Sequence, residues 1–293
     1  MGYHYELVEP EGQVSFEHTP PTSNRQRSDT MAMRREKLSF PNASGQALAG
    51  LLELPGGVPT GFVLFAHCFT CGKDIVAASR IARNLASRGL ATLRFDFTGL
   101  GGSDGDFANT TFSSNVADLV AAADYLRAHH QAPVILIGHS LGGAAVLAAA
   151  ERVPEARAVV TIGAPASPEH VRQQFACDID TIRREGVARV SLAGRPFNIT
   201  RQFLEDIESH GLETRIRALG RALLVFHSPL DNTVAMAQAG KIFAAARHPK
   251  SFICLDRADH LLSRREDAEY VGAVIAAWAC RYLEVPEGAR NDG

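Results

Sequence analysis

Residues Pro133 to Arg152, PVILIGHSLGGAAVLAAAER, decide the fold of this chain. A short apolar run that predicts a buried strand passes through the pentapeptide GHSLG at 138–142 into a stretch that predicts a helix. The G-x-S-x-G spacing suits a backbone that turns sharply with no room for side chains, and such a turn lifts the serine hydroxyl above the sheet. We therefore predict that Ser140 is a nucleophile, with a plain glycine-rich turn as the alternative.

Apolar runs and helical patterns alternate on both sides of this stretch. The length of 293 residues and a hydrophobic content of 46% allow one well-buried core. Continuous hydrophobicity is typical of parallel strands that are covered on both faces, and repeated β-α-β units predict an α/β fold with a mostly parallel, doubly wound sheet. The predicted strands are GFVLFAH, LATLRFDF, PVILIGHS, ARAVVTIGA, RALLVFHSP and KSFICLD, preceded by a β-hairpin, KLSFPNASGQALAGLLELP.

Two segments do not follow this alternation. Residues 1–33 are polar and lack periodicity, which predicts a flexible N-terminal extension. The interval from about 165 to 220 has no comparable strand core, and a loop of that length is uncommon in a compact domain. We predict that this interval is a mainly helical cap, with a hairpin or loop around VARVSLAGRPFNIT, inserted in a domain that spans residues 34–293.

The partners that Ser140 needs lie downstream in the chain. A serine attacks well only when a base removes its proton and a carboxylate orients that base. In sheets of this kind the acid follows the serine in the sequence and the histidine follows the acid. Asp231 comes just after the strand RALLVFHS and His260 just after KSFICLD, so we predict Ser140, Asp231 and His260 to be the catalytic residues. Asp256 and Asp259 compete for the role of acid but lie on the His260 loop itself.

Backbone amides must complete such a site, because the oxyanion of the tetrahedral intermediate needs donors, normally two. The predicted donors are the amide of Leu141, directly after the nucleophile, and the amide of Phe69 in the loop after GFVLFAH. Side chains that line the pocket or order its loops are predicted to bind substrate: His67, His139, Phe197 and Phe203. For the two phenylalanines of the cap, ordinary packing of cap on body is the alternative.

Cys68 and Cys71 form a C-x-x-C pair in the same loop. No second pair completes a zinc site, and thioredoxin-like pairs open a helix in a different βαβ setting. We expect the two residues to pack as small side chains, with redox chemistry as the alternative. Five scattered cysteines predict no disulfide framework and a reducing, cytoplasmic location. We expect no metal and no organic cofactor.

The charge balance and the hydropathy argue against two classes of partner. The 30 Lys and Arg residues against 32 Asp and Glu give a net charge of -2, which offers no electrostatic footprint for nucleic acid or acidic lipid. No segment approaches the ~18 consecutive apolar residues that a membrane-spanning helix needs. The acidic start of the chain argues against a signal peptide. We therefore expect neither a nucleic acid nor a membrane as partner.

Over about residues 37–283 the chain resembles the α/β-hydrolase family. The resemblance lies in the loops AHCFTCGKD and RFDFTGLGGSDG, the turn GHSLGG, the acid of HSPLD and the histidine of ADH. Within that family FAHCFTCGKDI, RFDFTGLGGSDGDF and FHSPLD are similar to bacterial hydrolases that are often fused to an OsmC-like domain. The resemblance implies an α/β-hydrolase fold of serine esterase type. It also raises a separately encoded OsmC-like protein as a partner.

These observations together predict a carboxylesterase that acts on small-molecule esters by a Ser-His-Asp acyl-enzyme mechanism. Thioesterase, acyltransferase, peptidase and perhydrolase activities use the same three residues and remain alternatives. A non-catalytic binding module with an OsmC-like partner is the alternative from another class.

Overall fold

A computed structural model of the chain describes residues 32–68, 71–192 and 194–283. Strands and helices alternate through most of this part of the chain. The strands are β1 (Arg34–Pro41), β2 (Ala47–Leu54), β3 (Gly61–Ala66), β4 (Leu90–Phe95), β5 (Pro133–His139), β6 (Ala158–Ile162), β7 (Val187–Leu192), β8 (Arg195–Thr200), β9 (Ala222–His227) and β10 (Lys250–Cys254). The α-helices are α1 (Val76–Ala86), α2 (Phe112–His129), α3 (Leu141–Ala149), α4 (Ile179–Glu185), α5 (Arg201–Ser209), α6 (Leu212–Arg217), α7 (Met236–Ala245) and α8 (Arg265–Leu283).

The main sheet has eight strands in the order β1-β2-β4-β3-β5-β6-β9-β10. All pairs from β4 to β10 are parallel, whereas β1 and β2 form an antiparallel hairpin at one edge. Every residue of β3, β4, β6 and β9 is buried, which explains the nearly continuous apolar sequence of these strands. The predicted mostly parallel α/β sheet is confirmed.

Helices cover both faces of the sheet. Side chains alternate along each strand, so that Leu64 of β3 belongs to one hydrophobic core while its neighbours Val63 and Phe65 belong to the other. The core around Leu64 includes residues of α2, α3 and α7, and the opposite core includes residues of α1 and α8. Within the described residues, we find no helix with the length and apolar character needed to span a bilayer.

The segment between β6 and β9 interrupts the alternation, as predicted. It consists of a run of 3-10 turns (Pro168–Asp178), then α4, β7, β8, α5 and α6. The stretch VARVSLAGRPFNIT, for which the sequence left a hairpin or a loop open, forms the antiparallel pair β7-β8. The cap is thus mainly helical with one hairpin. Its limits at about 165 and 220 stay a prediction, as does the extension over 1–33, of which residues 1–31 lie outside the described part.

A buried ion pair joins β2, β4 and the loop after β3. Arg94 of β4 is 1% exposed, and its Nη2 donates to Glu53 Oε1 of β2 at 3.0 Å. Its Nη1 donates to the carbonyl of Lys73, in the loop after β3. Arg35 of the edge strand β1 contacts the same Glu53 oxygen at 3.0 Å, but its side chain is 47% exposed. One carboxylate therefore has a buried and an exposed cationic partner, and the buried one also holds the loop.

We expect Glu53→Gln to lower the free energy of unfolding by about 3 kcal/mol or more, because it leaves the Arg94 charge buried without a counter-ion. Arg35→Ala removes the exposed partner of the same carboxylate and should cost less than about 1 kcal/mol. Urea unfolding followed by circular dichroism measures both variants. Equal effects of the two substitutions would contradict the role assigned to the buried pair.

Candidate active site

Ser140 occupies the sharp turn between β5 and α3. Its backbone has φ 57 and ψ -127, a region that residues other than glycine rarely adopt. A Cβ at Gly142 would lie 2.4 Å from the carbonyl oxygen of His67, and one at Gly138 would lie 2.2 Å from the carbonyl oxygen of Gly142. Both glycines of the pentapeptide are therefore required by close backbone contacts, as the sequence indicated.

The structure brings together the three residues predicted to be catalytic. His260 Nε2 lies 3.0 Å from Ser140 Oγ, and His260 Nδ1 lies 2.7 Å from Asp231 Oδ2. A carboxylate can only accept, so Nδ1 carries the proton and donates to Asp231. In the neutral ring Nε2 is then free to accept the proton of the serine hydroxyl. The arrangement can therefore activate Ser140 by general-base catalysis.

Asp231 is held as an ionised carboxylate. Burial by itself raises its pKa, but hydrogen bonds from His260 and from the amides of Val234 and Thr233 outweigh burial and lower the pKa below its ordinary value. Its Oδ1 accepts from the two amides at 2.8 and 2.9 Å, which leaves Oδ2 for the imidazole. A fixed negative charge at this position stabilises an imidazolium when His260 takes up a proton.

The competing acids are engaged elsewhere. Asp259 Oδ1 accepts from the amide of Ser263 at 2.8 Å, within its own loop. Asp256 accepts a hydrogen bond from the thiol of Cys254 and, with burial, raises the pKa of that thiol. Asp231 is thus the carboxylate that contacts His260.

Three other histidines lie at strand ends and order the surrounding loops. His139 Nε2 donates to the carbonyl of His260 at 2.7 Å, and His227 Nε2 donates to the carbonyl of Val234 at 2.7 Å. His67 Nδ1 donates to the carbonyl of Cys68 at 2.8 Å. Each bond fixes a loop that carries a site residue. For His67 and His139, which were predicted to bind substrate, the structure therefore shows loop ordering.

A cavity of about 810 Å³ opens beside Ser140 and His260. Its walls include Cys71, Lys73, Ile75, Leu192, Arg195 and Leu261. The side chains predicted to bind substrate are not among the residues that line it. Phe203 is 2% exposed within the cap core, and Phe197 packs edge-on against Phe107 with ring centroids 4.8 Å apart. Cap packing, the alternative, accounts for the burial of both rings, and an acyl pocket formed by them stays a prediction.

The loop after β3 contains a disulfide that the sequence analysis did not predict. Cys68 and Cys71 are joined by a disulfide with Cα atoms 5.4 Å apart, so the expectation of two small packed thiols is wrong.

Of the predicted oxyanion donors, the Leu141 amide lies in the first turn of α3, next to Ser140. Phe69, the other, lies outside the described residues. In the described part of the chain no group of three or more His, Cys, Asp or Glu is placed to hold a metal ion.

Comparison with known proteins places the chain in a family. Residues 57–192 match the family model described as serine aminopeptidase, S33. A solved structure of alpha/beta hydrolase domain-containing protein 10 from mouse has a TM-score of 0.70 at 23% identity, covering 84% of this chain and 99% of that one. The chain is also 30% identical over 243 residues to mouse palmitoyl-protein thioesterase ABHD10, mitochondrial, with 80% of each protein covered. The chain belongs to the α/β-hydrolase family.

Other relatives of this α/β-hydrolase are esterases and lipases. The esterase domain from a Rhodothermus marinus protein is 46% identical with a TM-score of 0.70, and the match covers 86% of this chain and all 100% of that one. Human monoglyceride lipase is 33% identical over 114 residues, 38% of this chain and 37% of the lipase. The chain is therefore an enzyme of a hydrolase family, as the resemblance implied. None of these matches supports a link to an OsmC-like domain, which stays a prediction.

Gly163, at the end of β6, is a site residue of this α/β-hydrolase that the sequence reasoning missed. It has φ +54, and a Cβ there would lie 3.2 Å from Asp231 Oδ2 and 3.4 Å from His260 Nδ1. The signal was available in part, because Gly163 is the second-last residue of the predicted strand ARAVVTIGA, and site residues are expected at strand ends. What the sequence did not reveal is that this strand end lies beneath the acid and base.

We expect Gly163→Ala to lower kcat/KM for an ester by about tenfold or more, since a distortion of the Asp231–His260 pair worth 1.4 kcal/mol has that effect. Gly186→Ala is the matched control. Gly186 has φ +87 but nothing within 4 Å of its added Cβ, so it carries similar backbone strain without the contact. Steady-state kinetics of p-nitrophenyl acetate hydrolysis measures both. A similar loss in the two variants would assign the effect to strain alone.

His139 should make stability depend on pH. Burial, and then the charge of His260, lower its pKa from 6.5 to about 4. Between these values the unfolded chain binds the proton and the folded protein does not, so stability is complete above about pH 6.5 and falls toward pH 4. The loss from this group is at most about 3 kcal/mol.

We expect His139→Gln, which can still donate to the His260 carbonyl but cannot titrate, to flatten the stability profile between about pH 4 and 6.5. Urea unfolding at a series of pH values measures the difference. Parallel profiles for wild type and His139→Gln would contradict the assignment of this pH dependence to His139.

Proposed function

We propose that this α/β-hydrolase is a serine carboxylesterase for small-molecule esters. The observation that carries the proposal is the hydrogen-bonded chain from Ser140 Oγ through His260 to Asp231, at 3.0 and 2.7 Å, at the edge of a cavity of about 810 Å³. The identity of 46% to an esterase domain supports the same reaction class.

In the proposed mechanism Ser140 attacks the acyl carbonyl while His260 removes the hydroxyl proton. The Asp231 carboxylate stabilises the imidazolium. The amides of Leu141 and Phe69 donate to the oxyanion, and the imidazolium then protonates the leaving alcohol. Water, activated by His260, hydrolyses the acyl-enzyme and restores Ser140. None of these steps needs a metal or an organic cofactor.

A thioesterase is the second proposed function. It is supported by the mouse palmitoyl-protein thioesterase, which is 30% identical over 80% of both proteins. The acylation and deacylation steps are the same, and only the leaving group, a thiol in place of an alcohol, differs. Acyltransferase, peptidase and perhydrolase activities, and a binding module with an OsmC-like partner, are weaker alternatives. A cytoplasmic location also remains part of the proposal.

We expect Ser140→Ala to lower kcat/KM for the best p-nitrophenyl ester by about a thousandfold or more, because the loss of a nucleophile removes the covalent pathway. Ser209→Ala, at an exposed position of α5, serves as the control with unchanged activity. A series from acetate to long acyl chains, assayed beside coenzyme A thioesters of the same acyl groups, separates esterase from thioesterase.

A fluorophosphonate probe provides an independent readout of the nucleophile. It should label wild type and Ser209→Ala but not Ser140→Ala. Residual activity of Ser140→Ala above about a hundredth of wild type would exclude Ser140 as the nucleophile. Folded wild type that neither reacts with the probe nor cleaves any ester or thioester would favour the binding module.

A further inference from the structure

The disulfide between Cys68 and Cys71 forms part of the wall of the cavity that holds Ser140 and His260. Cys68 is 4% exposed, whereas Cys71 is partly exposed. The other cysteines, Cys177, Cys254 and Cys280, are free and lie on the surface. The paired cysteines therefore line the same cavity as Ser140 and His260.

Stabilisation of the fold explains this bond poorly. Its cysteines are 3 positions apart, and a disulfide that closes so short a loop removes little entropy from the unfolded chain. The turn is also held without it. The Cys68 carbonyl accepts from the Cys71 amide at 3.1 Å and from His67 Nδ1 at 2.8 Å. The presence of this disulfide in the cavity wall therefore calls for an explanation other than stability.

We infer that the Cys68–Cys71 disulfide is a thiol-modification site that controls access to the hydrolase cavity. The ligand class is a low-molecular-weight thiol, which a cavity of about 810 Å³ admits. Access determines which sulfur of a disulfide is attacked, and Cys71 is the more exposed of the two. The adduct is therefore assigned to Cys71.

The exchange balances without any further reactant. A thiolate attacks Cys71 Sγ, the new sulfur–sulfur bond forms as the Cys68–Cys71 bond breaks, and the electron pair leaves on Cys68 Sγ, which takes up a proton. A second thiol attacks the mixed disulfide and releases the oxidised thiol dimer. Both cysteines are then thiols, so two small thiols have been oxidised and one protein disulfide reduced. The thiol dimer re-forms the disulfide by the reverse steps.

The consequence for hydrolysis rests on the proposed function. A thiol attached to Cys71 occupies the cavity beside Ser140, so an acyl substrate cannot reach the nucleophile. Hydrolysis should therefore fall in proportion to the fraction of enzyme that carries the adduct. Removal of the adduct should restore hydrolysis.

The test uses the full chain with Cys177→Ser, Cys254→Ser and Cys280→Ser, so that the surface thiols cannot react. Glutathione in excess is added to the oxidised protein, the reaction is quenched with acid, and intact and peptide mass spectra locate the adduct. We expect one glutathione on Cys71, with loss of p-nitrophenyl ester hydrolysis matching the modified fraction. Hydrolysis should recover after free glutathione is removed by gel filtration, because the Cys68 thiol then displaces glutathione from Cys71 and re-forms the disulfide. A variant that also carries Cys68→Ser and Cys71→Ser should acquire no adduct and should not respond to glutathione.

Three results would overturn the inference: two free thiols at Cys68 and Cys71 in the untreated protein, no adduct in the folded protein, or an adduct that leaves hydrolysis unchanged. The mass measurement does not require hydrolysis. If no ester or thioester is cleaved, the proposed function fails while the adduct on Cys71 is still detected or excluded. The two failures are therefore distinguishable.

Discussion

The site depends on a backbone turn that has no room for side chains. Between β5 and α3 the chain reverses so tightly that a Cβ at Gly138 would lie 2.2 Å from the Gly142 carbonyl oxygen, and one at Gly143 would lie 2.4 Å from Ala164 Cβ. Ser140 itself takes a positive φ of 57, a strain of about 1–3 kcal/mol that persists only because the flanking strand and helix fix the turn. The hydroxyl therefore faces the loops that follow β9 and β10.

The order of the strands then brings Asp231 and His260 close to Ser140. Because β5, β6, β9 and β10 are parallel neighbours, their carboxyl ends lie side by side. Ser140, Asp231 and His260 follow β5, β9 and β10, so residues far apart in sequence meet at one edge. The strand between those that carry serine and acid, β6, is followed directly by Gly163, and the missing side chain of this glycine leaves space for the acid and base.

The cavity combines parts of the chain that differ in sequence character. Its walls come from the loop after β3, the cap hairpin and the His260 loop, including Cys71, Leu192 and Leu261. In the loop after β3, the carbonyl of Lys73 accepts a hydrogen bond from the buried guanidinium of Arg94. The same guanidinium pairs with Glu53. The wall that carries the disulfide is thus anchored to the sheet, while the opposite wall belongs to the cap.

The sequence by itself determined the parallel α/β sheet, the cap and the residues of the Ser-His-Asp chain. Each has a local signal: continuous apolar strands, an interval without them, a glycine-flanked serine, and an acid and a histidine directly after strands. Local patterns did not separate the aromatic residues of the cap from those of a pocket, because Phe197 and Phe203 are apolar in either case.

Only the tertiary structure decided the lining of the cavity, the disulfide between Cys68 and Cys71 and the contact of Gly163 with the acid and base. These features depend on distances between segments that are remote in the chain or on the exact course of a loop. A one-dimensional pattern records which residues are apolar or polar, but not which atoms the folded backbone brings within a few ångström of each other.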